Sequence, residues 1–145
     1  MEVVNIAFAS ADYKDTVLLR DKVMRKPLGL SIYNDDLSYE EEAIIIAIKD
    51  CDRMIGTGIM VPENNGTATI RFICVDNELQ KGGVGSLILA ELEKRARGRS
   101  LTEIVMDARV SALEFYKKFD YQPYGEEYLM ESAPIPHIKM KKKLQ

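Results

Sequence analysis

The hydrophobic pattern of this chain changes period several times, and each change predicts an element. Val3 to Ala9 reads as a first strand. Ser10 is a candidate N-cap for a helix from Ala11 to about Met24, which Pro27 and Gly29 close. Leu30 to Glu42 is polar and acidic, a loop or a short helix. Ala43-Ile44-Ile45-Ile46-Ala47-Ile48 is an unbroken run, mostly β-branched, which predicts a buried strand. Turns at Asp50 to Arg53 and Pro62 to Gly66 separate it from Met54 to Val61 and from Thr67 to Val75, which predicts an antiparallel meander.

In the second half, apolar residues at Val84, Leu87, Ile88, Leu92 and Ala96 mark one face of a helix ending near Arg97 and stopped by Gly98. Glu103 to Met106 reads as a short strand. Ser111-Ala112-Leu113-Glu114 has the pattern of a capping box for another helix, with Ala112, Phe115, Tyr116 and Phe119 on one face. Strands follow near Tyr121 to Tyr124 and His137 to Lys143. The order is β-α-(α)-β-β-β-α-β-α-β-β. It predicts an α/β (α+β) fold: a mixed, mostly antiparallel central sheet of about seven strands flanked by helices. The helix from Val84 would join two parallel strands by a right-handed crossover. With no repeat, low-complexity segment or interior linker, residues 1–145 read as a single domain.

Composition narrows the function classes. Hydrophobic residues at 46% and charged residues at 30% are ordinary globular usage. A net charge of −3 gives no basic field for nucleic acid. The basic run Lys139-Met140-Lys141-Lys142-Lys143 reads as a solvated edge strand guarded by lysines. No run of 18 apolar residues suggests a membrane span, and Met1 to Asn5 lacks the features of a signal peptide. Cys51 and Cys74 form no Cys-x-x-Cys, and with one histidine no transition-metal site is expected. The expectation is a reduced, cytoplasmic, soluble protein without nucleic-acid or membrane partners.

The candidate chemistry lies at Gln80-Lys81-Gly82-Gly83-Val84-Gly85, between the strand ending at Val75 and the helix from Val84. The first N–H groups of a helix have no intrahelical partner and carry part of its positive dipole end, so such a turn can hold a phosphate. A turn with no ligand is the plainer alternative. The turn lacks the Lys-Ser/Thr of a nucleoside-triphosphate loop, and Ile88 stands where a dinucleotide fingerprint needs its third glycine.

Gln80-x-x-Gly83-x-Gly85 after a strand resembles the acyl-CoA pyrophosphate loop of the GNAT superfamily of N-acetyltransferases. The element order matches that fold over essentially the whole chain. Ala112 to Tyr121 resembles the family's late Ala-x-x-x-Tyr segment, with Asp120 in place of the usual glycine and Arg109 where many members carry asparagine. The Pro136-His137 pair before the last strand resembles a small single-domain subgroup.

The resemblance implies acetyl-CoA as cosubstrate, no metal, and direct transfer of its acetyl group to an amine within a ternary complex. CoA would be held by Ile73, Cys74 and Val75 and by Gln80, Lys81, Gly82, Gly83, Val84, Gly85 and Ser86. The backbone N–H of Cys74 or Val75 would receive the oxyanion. Tyr116 would serve the departing sulfur, or be a core tyrosine on an apolar helix face. The strand before the loop has no glutamate, so the base would be water, Glu126, Glu127, Glu131 or His137. His137 is placed near the reaction centre if the last strand runs antiparallel to the parallel pair; otherwise it shares a solvated face with Lys139, Lys141 and Lys143. Cys74 reads as a small core residue alternating with Ile70 and Phe72, rather than an acyl carrier. Asp35, Asp36 and Glu40 to Glu42 either favour a cationic acceptor or form a solvated loop. The acceptor would be a small-molecule or peptide amine; dimers are common among resembling proteins, so a homodimer is compatible. The alternative function is a non-catalytic acyl-CoA-binding or regulatory module on the same fold.

Overall fold

The structure, a computed structural model, describes residues 1–79 and 82–145. β1 covers Glu2–Asn5. It stops short of Ala9 because Ala7 to Ser10 form a turn: Ala9 takes a φ of 65° and the Ser10 N–H donates to Ala7 O. That turn presents Ser10 to α1, Ala11–Met24, where its hydroxyl oxygen accepts the Tyr13 N–H at 3.1 Å. Three short 3₁₀ turns follow, Lys26–Leu28 at the end of α1 and Ile32–Asn34 and Ser38–Glu42 within the acidic stretch.

The β-branched run becomes β2, Ile44–Asp50, followed by β3, Arg53–Pro62, and β4, Thr67–Val75. α2, Val84–Gly98, crosses to β5, Glu103–Arg109, which lies parallel to β4. A 3₁₀ turn at Val110–Ala112 leads into α3, Leu113–Lys117. The expected capping box does not form. The turn moves the α3 N-cap to Ala112, which has no hydroxyl, and no side chain caps this end. β6, Gln122–Leu129, and β7, Pro136–Lys143, complete a seven-stranded sheet of order β1-β2-β3-β4-β5-β7-β6. The basic run expected on an edge strand therefore lies on β7, paired on both sides, and β6 is the edge on that side. β5 runs on past Met106 because β7 pairs antiparallel along its whole length.

The two sheet faces have separate cores. α1 covers Ile45, Ala47, Ile59 and Phe72 with Tyr13 and Val17. α2 covers Ile46, Ile48, Met60, Ala68, Ile104 and Met106 with Val84, Ile88, Leu92 and Ala96. Each fully buried aliphatic side chain there contributes roughly 1.5–3 kcal/mol. α2 lies close to β3 because Gly58 has no side chain: a Cβ there would stand 2.5 Å from Ile88 Cγ2.

A buried network fixes the Ser38–Glu42 turn to α1. Arg20 Nη1 and Nη2 donate to Glu40 Oε2 and Oε1 at 2.7 and 2.9 Å. Tyr13 donates to Glu40 Oε1 at 2.6 Å, and Arg20 also donates to the carbonyl and hydroxyl oxygens of Thr16. Arg20 and Glu40 are both fully buried, and the guanidinium lies 4.8 Å from the centre of the Phe72 ring.

The sheet departs from regularity on β4. Ile59 faces Phe72 while Met60 faces Ile70, leaving Arg71 as an extra residue. The bulge sends Ile70 to the α2 side and Phe72 to the α1 side. The alternation expected through Ile70, Phe72 and Cys74 is therefore broken at Arg71. The β4–β5 ladder joins Thr67–Ile70 to Glu103–Met106 and ends there, at the bulge.

Candidate active site

Past the bulge β4 and β5 part, and a cleft of about 720 Å³ opens toward the end of α1. The Asp76 N–H donates to Ile55 O at 2.8 Å. By the alternation of an antiparallel ladder, Cys74 also turns its N–H toward β3, and Ile73 and Val75 turn theirs to the side β5 has left. Of the two expected oxyanion donors, Val75 has the N–H on the open side. The Cys74 thiol is buried and reaches Leu19 O at 3.8 Å. Burial pushes it up to about 12, so it remains a thiol, which disfavours an acyl-carrying role.

The glycine turn leads from the end of β4 into α2. Gln80 and Lys81 lie outside the described residues. Gly82 and Gly83 are exposed, and Gly83 is the α2 N-cap with a φ of 85°, a conformation suited to glycine. No side chain caps this end, so the N–H groups of Val84, Gly85 and Ser86 are left without helical partners. Gly85 allows close approach to α3: a Cβ there would lie 3.3 Å from Phe115 Cζ.

Tyr116 and His137 both line the cleft. Tyr116 packs edge-on against Phe115 and Tyr121, and burial pushes its hydroxyl up to about 12, while the Arg109 cation works in the opposite direction. It stays protonated across the neutral range. Among the described residues none hydrogen-bonds this hydroxyl.

β7 is antiparallel to β5, and His137 stands opposite Arg109. His137 is only 3% exposed, whereas Lys139, Lys141 and Lys143 are solvated. The face thought to be shared is split: Tyr128 pairs opposite His137 on β6, with its ring 6.2 Å from the imidazole. His137 Nδ1 lies 2.7 Å from Ile135 O. A carbonyl only accepts, so Nδ1 carries the proton and neutral His137 keeps its lone pair on Nε2. Of the expected carboxylate bases, Glu131 also lines the cleft, whereas Glu126 and Glu127 sit exposed in the β6 irregularity beside Gly125.

The acidic stretch divides: Asp35 pairs with Arg25 and Glu40 with Arg20, whereas Asp36, Glu41 and Glu42 are exposed. Asp36 accepts from Ser38. Sequence reasoning missed Asp107 on β5. Burial works to raise its pKa, but the Tyr128 hydroxyl and Lys139 outweigh burial and hold it below the usual carboxylate range. It also missed Arg25 and Arg71 as cleft residues; only the bulge and the end of α1 bring them there.

An open strand edge, a glycine turn at a helix start, and a tyrosine and a histidine lining one cleft thus lie at the same end of the sheet. The family model for the acetyltransferase (GNAT) domain matches residues 25–144, and the chain belongs to that family. YjcF, an uncharacterized N-acetyltransferase of Bacillus subtilis (strain 168), is 28% identical over 137 residues, covering 94% of this chain and 96% of its own. A crystal structure from Lactobacillus plantarum, assigned as an N-acetyltransferase, superimposes with a TM-score of 0.83 at 21% identity, covering both chains fully. A Bacillus subtilis acetyltransferase crystallised with CoA superimposes with a TM-score of 0.70 at 16% identity over 99% of each chain. Among the described residues no helix is long and apolar enough to cross a membrane.

Proposed function

We propose that the chain transfers the acetyl group of acetyl-CoA to an amine by direct attack in a ternary complex. The observation that carries this reading is the parting of β4 from β5 beyond Ile70, which leaves the Ile73 N–H facing the cleft that Tyr116 and His137 line, with the Val75 N–H on the same open side of β4. Acetyl-CoA is the cosubstrate by likeness to the family and to the CoA-bound neighbour. The pantetheine arm suits the open-side N–H groups of Ile73 and Val75. The pyrophosphate suits the free N–H groups at the start of α2, with the exposed turn at Gly82 and Gly83 giving room for close approach.

His137 Nε2 takes a proton from the ammonium, and the neutral amine nitrogen attacks the thioester carbonyl carbon. The Val75 N–H receives the oxyanion as the C–N bond forms. The C–S bond then breaks and the thiolate takes the Tyr116 phenolic proton; the second proton leaves the amide nitrogen and restores the phenol by way of water, while His137 passes its own proton to solvent. The products are an amide and the free thiol of CoA. Two supports favour His137 as base: burial beside the cleft and a tautomer fixed by Ile135 O.

Calorimetry and a thiol-release assay over a broad amine panel test the reading. Wild type should bind acetyl-CoA and release thiol with at least one amine. Gly83→Asp puts a carboxylate at the start of α2 where no neighbouring atom blocks it. It should weaken acetyl-CoA binding at least about tenfold, roughly 1.4 kcal/mol. Unchanged affinity in the folded variant would overturn the loop assignment. Binding without thiol release from any amine would instead point to a non-catalytic acyl-CoA-binding module.

A further inference from the structure

Two guanidinium groups meet on one carbonyl oxygen at the C-terminal end of α1. Arg25 Nη1 lies 3.0 Å from Met24 O, and Arg109 Nη2 reaches the same oxygen from β5 at 2.9 Å. Among the described residues only one of the two cations has a counter-ion. Arg25 holds Asp35 through both carboxylate oxygens, with Nε at 3.3 Å and Nη2 at 2.9 Å. Among the described residues Arg109 makes no ion pair, and Met24 O is its hydrogen-bond acceptor. The carbonyl end of a helix attracts cations, but it supplies only a fraction of a charge for two of them.

A guanidinium in this position is costly. Burial and the Arg25 cation both lower the Arg109 pKa, yet a guanidinium does not give up its proton near neutral pH. Burying a charge without a full partner is unfavourable, and an arriving anion would relieve it. Arg109 still has N–H groups to offer, and a planar fork suits a carboxylate.

Of the four carboxylates that line the cleft among the described residues, two are committed to partners and two lie at its edge. Asp35 belongs to Arg25, and Asp107 accepts from Tyr128 and Lys139. Asp36 and Glu131 lie at the exposed rim. The interior of the cleft therefore favours an anion over a second cation. Arg109 also stands opposite His137 in the β5–β7 register, so the cation and the candidate base sit side by side.

We infer that the acceptor is an amine that also carries a carboxylate, an amino acid or a short peptide with a free C-terminus, and that Arg109 binds this carboxylate while the amine faces His137. The inference rests on the acyl-transfer reading for its amine and on the Arg109 environment for its carboxylate, and the two are tested separately. Amino acids and dipeptides are compared with their primary amides as acceptors. Wild type should prefer each accepted acid over its amide by at least about tenfold in kcat/KM. Arg109→Met should erase that preference by raising KM for the acid at least about tenfold, with KM for the amide and acetyl-CoA affinity unchanged. Arg109→Lys, which keeps the charge without the fork, should retain part of it.

Equal use of acids and amides by wild type would overturn the inference. So would an equal fall of kcat for both in Arg109→Met, since Arg109 would then act on the reaction itself. Direct titration of the same acids and amides reads the anion site without turnover. Binding of acids alone, lost in Arg109→Met with its melting temperature preserved, supports the inference; binding of neither, or equal binding by both variants, overturns it. Failure to bind acetyl-CoA would overturn acyl transfer while leaving this readout intact.

Discussion

Arg20 and Arg109 approach the same helix, one from within α1 and one from across the sheet, and they are treated in opposite ways. Arg20 is fully buried with both oxygens of Glu40, both oxygens of Thr16 and the Phe72 ring around it. Arg109 shares a single carbonyl with a second arginine and has no carboxylate of its own among the described residues. Saturation marks groups that hold the scaffold, because a charge enclosed without partners costs several kcal/mol. Incomplete saturation beside a cleft marks groups held ready for something else.

The strongest test of this division is Tyr116→Phe. The ring stays between Phe115 and Tyr121, so packing is kept and only the hydroxyl goes. With an accepted amine, kcat should fall by roughly 10²–10⁴, while acetyl-CoA affinity and melting temperature stay near wild type. Wild-type kcat in the variant would return Tyr116 to the core.

Glu40→Gln probes the saturated side. It removes the negative charge that Arg20 needs and should cost about 3–5 kcal/mol of folding stability by denaturant titration. Acetyl-CoA affinity under native conditions should not change. A variant as stable as wild type would break the contrast, since Arg20 would then tolerate what Arg109 tolerates.

A smaller effect appears with pH. Tyr13 and Tyr116 are both pushed up to about 12, in each case chiefly by burial. In the unfolded chain a tyrosine loses its proton near pH ~10. Between these values the unfolded chain binds fewer protons than the native one, so stability falls as pH rises; below pH ~10 these two groups add no slope. Urea midpoints measured from pH 9 to 12 should decline, with the buried Cys74 thiol contributing from its ordinary value of ~8.5 upward and the tyrosines steepening the fall above pH ~10, and Tyr13→Phe should flatten that steeper part. An unchanged slope would mean that burial at Tyr13 is not felt as a titration.

Much of the scaffold was legible because its signals are local. Ser10 caps the helix it was expected to cap, Thr67–Val75 has the expected bounds, and Val84 opens α2. Of the candidate site, placement was legible where it is written in neighbouring residues: Gly83 stands at the start of α2, Gly85 lies against Phe115, and Tyr116 lines the cleft. The rest depends on register and long-range convergence. The bulge at Arg71 exists only relative to β3. His137 is hidden because Tyr128 pairs opposite it. Arg25 and Arg109 meet because the end of α1 lies over the end of β5, a proximity that no periodicity encodes. The expected capping box failed for the converse reason: a local pattern was overruled by a 3₁₀ turn entering α3.

The bulge has a mechanical consequence as well. Backbone pairing between β4 and β5 runs only from Thr67–Ile70 to Glu103–Met106, whereas β5 and β7 pair along their full length. The sheet is thus two ribbons stitched by a short seam, with the seam ending where the cleft begins. A molecule seated between the ribbons, touching Val75 on one and Arg109 or His137 on the other, would act as a splint across the unstitched part. Amide exchange at Ile73, Val75, Ala108 and Arg109 should then slow when acetyl-CoA and acceptor are present together, more than anywhere in β2 or β3.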